Sequence, residues 1–217
     1  MAKKMYPLRE RKHAKTKIAL VNAFIEKLKT TRFADISIKE ICQSVEVSEG
    51  TFYNYFPQKF DVINYFQLLH ILKIEWETNQ RKDKFGPLEL IDLAFDSMAE
   101  TISQPYLFFE IVSVFTSEHI KPPKGTLTSV EKVYAFPNCN GIEDTSLESL
   151  DDFFRRHLRE AKKQGEIDKN IDIEDVFIVL KTILIGVPLA IEIEDFGKLA
   201  KIYKRQLGLL KKSFAVK

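Results

Sequence analysis

Apolar residues recur through the first part of the chain with the spacing of one helix face. Ala14, Ile18, Val21, Ile25 and Leu28 are separated by 4, 3, 4 and 3 positions, and Leu20 and Phe24 widen the stripe. A flexible basic arm is predicted over residues 1–10, with Arg9, Arg11, Lys12, Lys15 and Lys17 clustered where the apolar pattern sets in. Helical spacing returns at Val62, Ile63, Phe66, Leu69, Leu72 and Trp76, predicting a long helix over about 58–80 without internal Gly or Pro. The stretch 81–87, RKDKFGP, breaks it. Further helices are predicted over 88–103, from Pro105 through Phe115, and over 146–164 with Gly165 as a stop. The last two are one capped by Asp172 and one over 196–214. Residues 120–146 hold Pro122, Pro123, Gly125, Pro137 and Gly141, and predict a long loop with a short helix at 127–134. No strand alternation is present. The pattern predicts an all-α chain of about nine helices.

The helix after Asp172 differs from the others. Val176 to Leu180 are all apolar, as are Ile183, Leu184, Ile185 and Val187, and only Lys181 and Thr182 interrupt. A helix apolar all round is buried all round. So near the end of a small domain, this predicts one side against the chain's own core and the other against a partner.

Between the first helix and the long fourth one lies SIKEICQSVEVSEGTFYNYFPQK, Ser37 to Lys59. Ser37 and Glu40 form S-x-x-E, a capping-box signature. Ser48 is a second N-cap residue, and Pro57 ends the helix that Ser48 starts. Two short helices joined by a three- to four-residue turn are a helix-turn-helix, whose second helix can enter the DNA major groove. Phe52 and Phe56 face inward at i, i+4 spacing, while Glu49, Thr51, Tyr53, Asn54 and Tyr55 present polar groups on aromatic bodies. Lys59 lies near the start of the next helix, where a cation opposes the helix dipole and an external anion such as phosphate relieves the conflict.

The run VSEGTFYNYFPQK resembles the helix-turn-helix signature of the TetR (tetracycline-repressor-like) transcription regulators. The resemblance covers roughly the first 65 residues. Beyond them only length and helical layout match. This chain has Ile41-Cys42 where the family has Ile-Ala, and Glu46 at the turn position that the family gives to Gly. It implies a three-helix DNA-binding head over residues 1–58 and a helical effector-binding and dimerisation body over 59–217. By the resemblance, Lys39 and Glu49 sit where bases are read. Thr51, Tyr53, Tyr55 and Lys59 match backbone-contacting positions, with Ser48 heading the second helix and Asn54 also facing the groove. It further implies a homodimer built on the last two helices, here Phe177, Leu180, Ile183, Leu184, Val187, Ile202 and Leu210. The implied effector is an apolar or aromatic small molecule, with Phe66, Trp76, Tyr106, Phe109 and Phe153 as candidate pocket residues.

Charge supports a nucleic-acid partner more than the total suggests. The formal net charge is only +2, but residues 1–60 hold 12 Lys/Arg against 6 Asp/Glu, and the remainder 21 against 25. A basic head on a mildly acidic body is the footprint of a DNA-binding domain joined to something else. Cys42 and Cys139 are far apart and form no C-x-x-C, which fits a reducing cytoplasm. No apolar run approaches a membrane span or a signal peptide.

Nucleotide-loop, metal-hydrolase and nucleophile-elbow motifs are absent. His13, His70, His119 and His157 are scattered without ligand spacing, so neither a metal nor a cofactor is predicted. Two readings compete with the regulator. One is a small helical enzyme, which would keep its activity without residues 1–58. The other is a protein-interaction module using the apolar helix, which leaves the basic head unexplained.

Overall fold

The computed structural model describes residues 6–102, 104–117 and 126–214, of Phe115, Ser117 and Ile193 the backbone only. The first part of the predicted arm, His119 and the Pro122–Gly125 breakers lie outside these residues. Among the described residues there is no strand, and ten α-helices are present. They are α1 (Leu8–Leu28), α2 (Ile38–Ser44), α3 (Glu49–Tyr55), α4 (Asp61–Asn79), α5 (Pro87–Thr101), α6 (Pro105–Ser117), α7 (Ser129–Ala135), α8 (Leu150–Lys163), α9 (Ile173–Ala190) and α10 (Leu199–Phe214). The helix beyond the predicted nine is α7, at the place where a short one is expected in the loop. Short 3-10 turns stand at Phe33–Asp35, Ile142–Asp144 and Ile193–Lys198.

Helix α1 starts inside the stretch predicted as an arm. Pro7 precedes it with φ −53°, and its carbonyl accepts from Arg11 N–H at 3.0 Å. Proline has no N–H to leave unpaired at a helix start, so the helix extends to it. At the other end of the chain, residues 193–198 take 3-10 geometry, so α10 begins three residues later than predicted.

The chain divides into two compact units: 1–72 with 106–147, and 73–105 with 148–217. The first holds α1 to α3, the start of α4, and nearly all of α6 with α7. Its core is Leu20, Val21, Phe24, Leu28, Ile41, Phe52, Phe56 and Ile63, all buried. The second holds the end of α4 with α5, α8, α9 and α10. Phe95 is packed there against Phe154 at 5.7 Å and Tyr203 at 5.1 Å between ring centroids.

Two local devices shape the second unit. Gly165 takes φ 79° behind α8, and the bonds Glu166 N–H to Ala161 O and Gly165 N–H to Lys162 O complete a left-handed C-cap. Glu166 then accepts Leu88 N–H at 3.2 Å and so caps α5 from outside. A Cβ on Gly86 would lie 2.6 Å from Glu166 Oε1, so a larger residue there would push the carboxylate aside.

Candidate nucleic-acid interface

The head is set by its caps. Ser37 Oγ accepts Glu40 N–H at 3.3 Å at the start of α2, while the Glu40 carboxylate turns to Lys27 at 3.5 Å instead of closing the box. Behind α2, Val47 N–H bonds Cys42 O at 3.0 Å and Glu46 N–H bonds Gln43 O at 3.2 Å. This is the Schellman pair, with Glu46 in the left-handed position at φ 58°. The turn geometry that a glycine adopts freely is therefore kept by a glutamate, at a cost of about 1–2 kcal/mol. Ser48 Oγ then accepts Thr51 N–H at 3.2 Å and starts α3. Its hydroxyl also meets Thr51 Oγ1 at 2.9 Å, so both side chains hold the helix start.

Phe52 is fully buried and Phe56 nearly so, which fixes the rotation of α3. The same rotation exposes Glu49, Tyr53 and Asn54 and half-exposes Thr51 and Tyr55. Tyr53 keeps an edge-to-face contact with Phe52 at 5.3 Å, so its hydroxyl projects from an anchored ring. Lys39, on α2, is exposed.

Lys59 is more constrained than its position suggests. Its Nζ donates to Ala34 O at 3.2 Å and lies 4.9 Å from the centre of the Phe33 ring. Burial lowers its pKa, with the Asp35 charge opposing. The ammonium still has two further protons to donate. At the start of α4, Asp61 accepts Gln58 N–H at 2.8 Å, so this helix already carries an anion in its first turn.

Five residues outside the predicted DNA-binding set join this surface beside Tyr55. Leu8, Arg9, Lys12, His13, Thr16 and Tyr55 line an open groove of about 620 Å³. The His13 ring meets Tyr55 at 4.5 Å edge-to-face, and the Thr16 hydroxyl bonds that of Tyr55. Burial raises the Tyr55 pKa, and Thr16 opposes the shift. Only the basic clustering at Arg9–Lys17 hinted at this groove. Nothing local says that one turn of α1 lies beside the end of α3.

The remaining candidates fall at scattered places. Tyr106 and Phe109 are surface residues of α6, 39% and 37% exposed. Phe66 is half-buried against His70 at 5.0 Å, and Trp76 is half-buried on α4. Phe153 is fully buried against Phe154 and His157. On α9, Phe177, Leu180 and Leu184 are buried within the protomer, while Ile183 and Val187 are half-buried. Ile202 and Leu210 are half-buried on α10. The outward apolar residues of α9 are Ile178, Val179, Ile185 and Leu189. Among the described residues, no three His, Cys, Asp or Glu side chains cluster as a metal site, and no helix is long and apolar enough to cross a membrane.

No protein-family model and no curated protein sequence matches the chain. Solved structures do. A regulatory protein of the TetR family from Rhodococcus RHA1 superposes with TM-score 0.58 at 13% identity, over 93% of this chain and 98% of that one. Thermus thermophilus FadR, a TetR-family transcriptional repressor in complex with lauroyl-CoA, gives 0.58 at 19% identity, over 93% and 96%. The TetR-family protein CprB from S. coelicolor A3(2) gives 0.55 at 19%, over 97% and 92%. The fold is that of the TetR-family regulators. The TetR fold thus spans nearly the whole chain, well past the 65 residues that carry the motif.

Proposed function

We propose that the chain is a sequence-specific, DNA-binding transcription regulator that acts as a homodimer in the cytoplasm and answers to a small molecule. The observation that carries this reading is the rotation of α3: its two phenylalanines are buried, and Glu49, Tyr53 and Asn54 face solvent beside exposed Lys39. Residues 1–58 are the DNA-binding part and 59–217 the effector and dimer part. Lys39 and Glu49 read bases, Lys by donating to guanine and Glu by accepting from cytosine N4. Thr51, Tyr53, Tyr55 and Lys59 hold phosphates, Ser48 fixes the start of α3, and Asn54 reaches the groove. Arg9 and Lys12 extend the phosphate track along α1.

Dimerisation sets two copies of α3 against two half-sites, so the operator is near-palindromic. The effector is apolar or aromatic, a reading supported by the FadR structure with lauroyl-CoA. The test is selection from a random duplex library by the full chain. A near-palindromic motif that changes in Lys39→Ala or Glu49→Ala is expected. An unchanged motif in both variants removes the base-reading role. No enrichment at all, with no salt-dependent duplex binding, removes the DNA-binding reading.

A further inference from the structure

The segment between α6 and α8 is fastened to the head through one carboxylate. Glu131, 3% exposed on α7, accepts from Lys17 Nζ at 2.7 Å, from Thr128 N–H at 2.8 Å and from Thr128 Oγ1 at 3.0 Å. Burial alone would raise its pKa, but the hydrogen bonds from Lys17 and Thr128 prevail and hold it below the ordinary carboxylate value. It therefore stays an anion, and Lys17 its cation. The pair is largely shielded, with the side chains 4% and 16% exposed.

Lys17 faces more than Glu131. Its Nζ lies 4.1 Å from the centre of the Tyr65 ring and 5.8 Å from that of Phe56. Those two rings meet edge-to-face at 5.7 Å. Phe56 is the residue that closes α3, and its N–H bonds Phe52 O at 2.9 Å. A continuous set of contacts thus runs from α7 through Lys17 and Tyr65 to the C-terminal turn of α3. The far side of α7 is also anchored: Lys132 Nζ, itself nearly buried, donates to Thr145 O at 2.6 Å. Leu127, Val130 and Ile142 are buried around it.

We propose that Glu131 is a positioning residue for DNA recognition, holding Lys17 across the Phe56 and Tyr65 rings so that α7 fixes the angle at which α3 presents Tyr53, Asn54 and Tyr55. This rests on the DNA-binding reading of the head. The physical reason is that a buried cation tolerates loss of its partner poorly. Without the Glu131 charge, Lys17 leaves the ring faces for solvent, and the packing that closes α3 loosens. Base contacts suffer from such a displacement, whereas non-specific phosphate attraction does not.

The discriminating variant is Glu131→Gln, which keeps the side-chain size and removes the charge. Two duplexes serve as probes: one selected by the unsubstituted protein, and the same duplex with its sequence scrambled. Affinity for the selected duplex is expected to fall about tenfold, the size of effect typical for side chains coupled in one network. Affinity for the scrambled duplex holds or rises, because the head has lost a negative charge. Amide exchange of residues 51–56 should accelerate in the same variant, while that of α5 does not. Lys17→Met combined with Glu131→Gln should restore the ratio, since a neutral pair leaves no buried ion. Glu131→Asp keeps the charge but shortens the reach, and gives a smaller fall if Glu131→Gln fails to fold. An unchanged ratio of the two affinities together with unchanged α3 exchange overturns the proposal. Faster α3 exchange in a protein that never binds duplex would leave the strut standing and remove the DNA-binding reading instead.

Discussion

Tyr203 donates its hydroxyl to the carbonyl oxygen of Leu184 at 2.6 Å, which is the carbonyl four residues before Pro188. Inside a helix, proline has no N–H to offer the carbonyl at i−4. Leu184 O would be left buried and unpaired, and α10 supplies the missing donor. Tyr203 itself is fully buried, and burial raises its pKa, so the hydroxyl stays protonated and remains a donor.

The first prediction is a coupling between these two positions. Tyr203→Phe should destabilise the protein by about 1–3 kcal/mol, the cost of an unpaired buried polar group. In a Pro188→Ala background the new N–H can bond Leu184 O, so Tyr203→Phe should cost clearly less. Chemical denaturation of the four proteins measures the coupling. Equal effects in both backgrounds would show that the proline does not orphan this carbonyl.

The second prediction concerns the turn. Glu46→Gly removes the strain of a left-handed glutamate, and should stabilise the protein by about 1 kcal/mol after its own entropy loss. In a chain of this size that is a rise in Tm of about 2–4 °C. Glu46 is exposed and no shift of packing is needed. A lower Tm for the variant would mean that Glu46 makes a contact outweighing the strain.

Local signals made much of this fold legible. The Ser37, Ser48 and Asp172 caps, the Gly165 stop and the 4-3-4-3 spacing of α1 are each decided within a few residues. The features that were not legible depend on distant partners. Helix α9 is apolar on every side, so its sequence carries no sign of which side faces in. The structure turns Phe177, Leu180 and Leu184 inward and Ile178 and Ile185 outward. The aromatic richness of α6 likewise says nothing of orientation, and Tyr106 and Phe109 lie at the surface. The α1–α3 groove is signalled only by the basic clustering at Arg9–Lys17, and the Lys17–Glu131 pair, 114 residues apart in sequence, has no local signature at all.

The third prediction is a pH dependence centred on Glu75, a 2% exposed carboxylate on α4. Arg156 Nη2 donates to both its oxygens at 3.0 and 3.1 Å, Glu148 shares the same guanidinium, and His157 Nε2 meets Arg156 Nη1 at 3.1 Å. Burial, then the hydrogen bond with Glu148, pushes the Glu75 pKa from 4.5 up to about 8. Burial, then the Arg156 charge, pushes His157 from 6.5 down to about 4. The raised carboxylate contributes stability that is present below its unfolded value and lost as pH rises toward 8. The depressed histidine contributes stability that is lost as pH falls from 6.5 toward 4. The two oppose each other in the overlap, and between 6.5 and 8 only the Glu75 loss remains. Tm should therefore fall across that upper window, and Glu75→Gln should flatten it. A window equally steep in the variant would assign the dependence elsewhere.

The fourth prediction is that Lys59→Ala weakens binding to every duplex alike and lowers the salt slope by about 0.9, the value of one phosphate. Because Lys59 Nζ also holds Ala34 O, a small loss of stability accompanies it. Lys12→Ala, on the α1 side of the groove, should lower the slope by the same amount without touching that bond. An unchanged slope in both variants would remove these residues from the phosphate track.

The last prediction separates two neighbouring residues of α9. Ile178, Thr182, Ile185 and Leu189 succeed one another at spacings of 4, 3 and 4 and are exposed, with Val179 beside them. Such a stripe is the seam of a helix that packs on another, and it has no cover in the protomer. Leu184, one position before Ile185, is instead 8% exposed and its carbonyl is bonded by Tyr203. A charge at 185 should be tolerated by the protomer and rejected by the dimer. A charge at 184 should be rejected by the protomer itself, since a buried unpaired ion is costly. Ile185→Asp is therefore expected to give a folded monomer that has lost tight operator binding, because only paired heads span two half-sites. Leu184→Asp is expected to lose the thermal transition altogether. Sedimentation and thermal melts at micromolar concentration read both outcomes. A dimeric Ile185→Asp protein would place the seam on another face, and a monomeric unsubstituted protein would leave the stripe without a second copy to cover it.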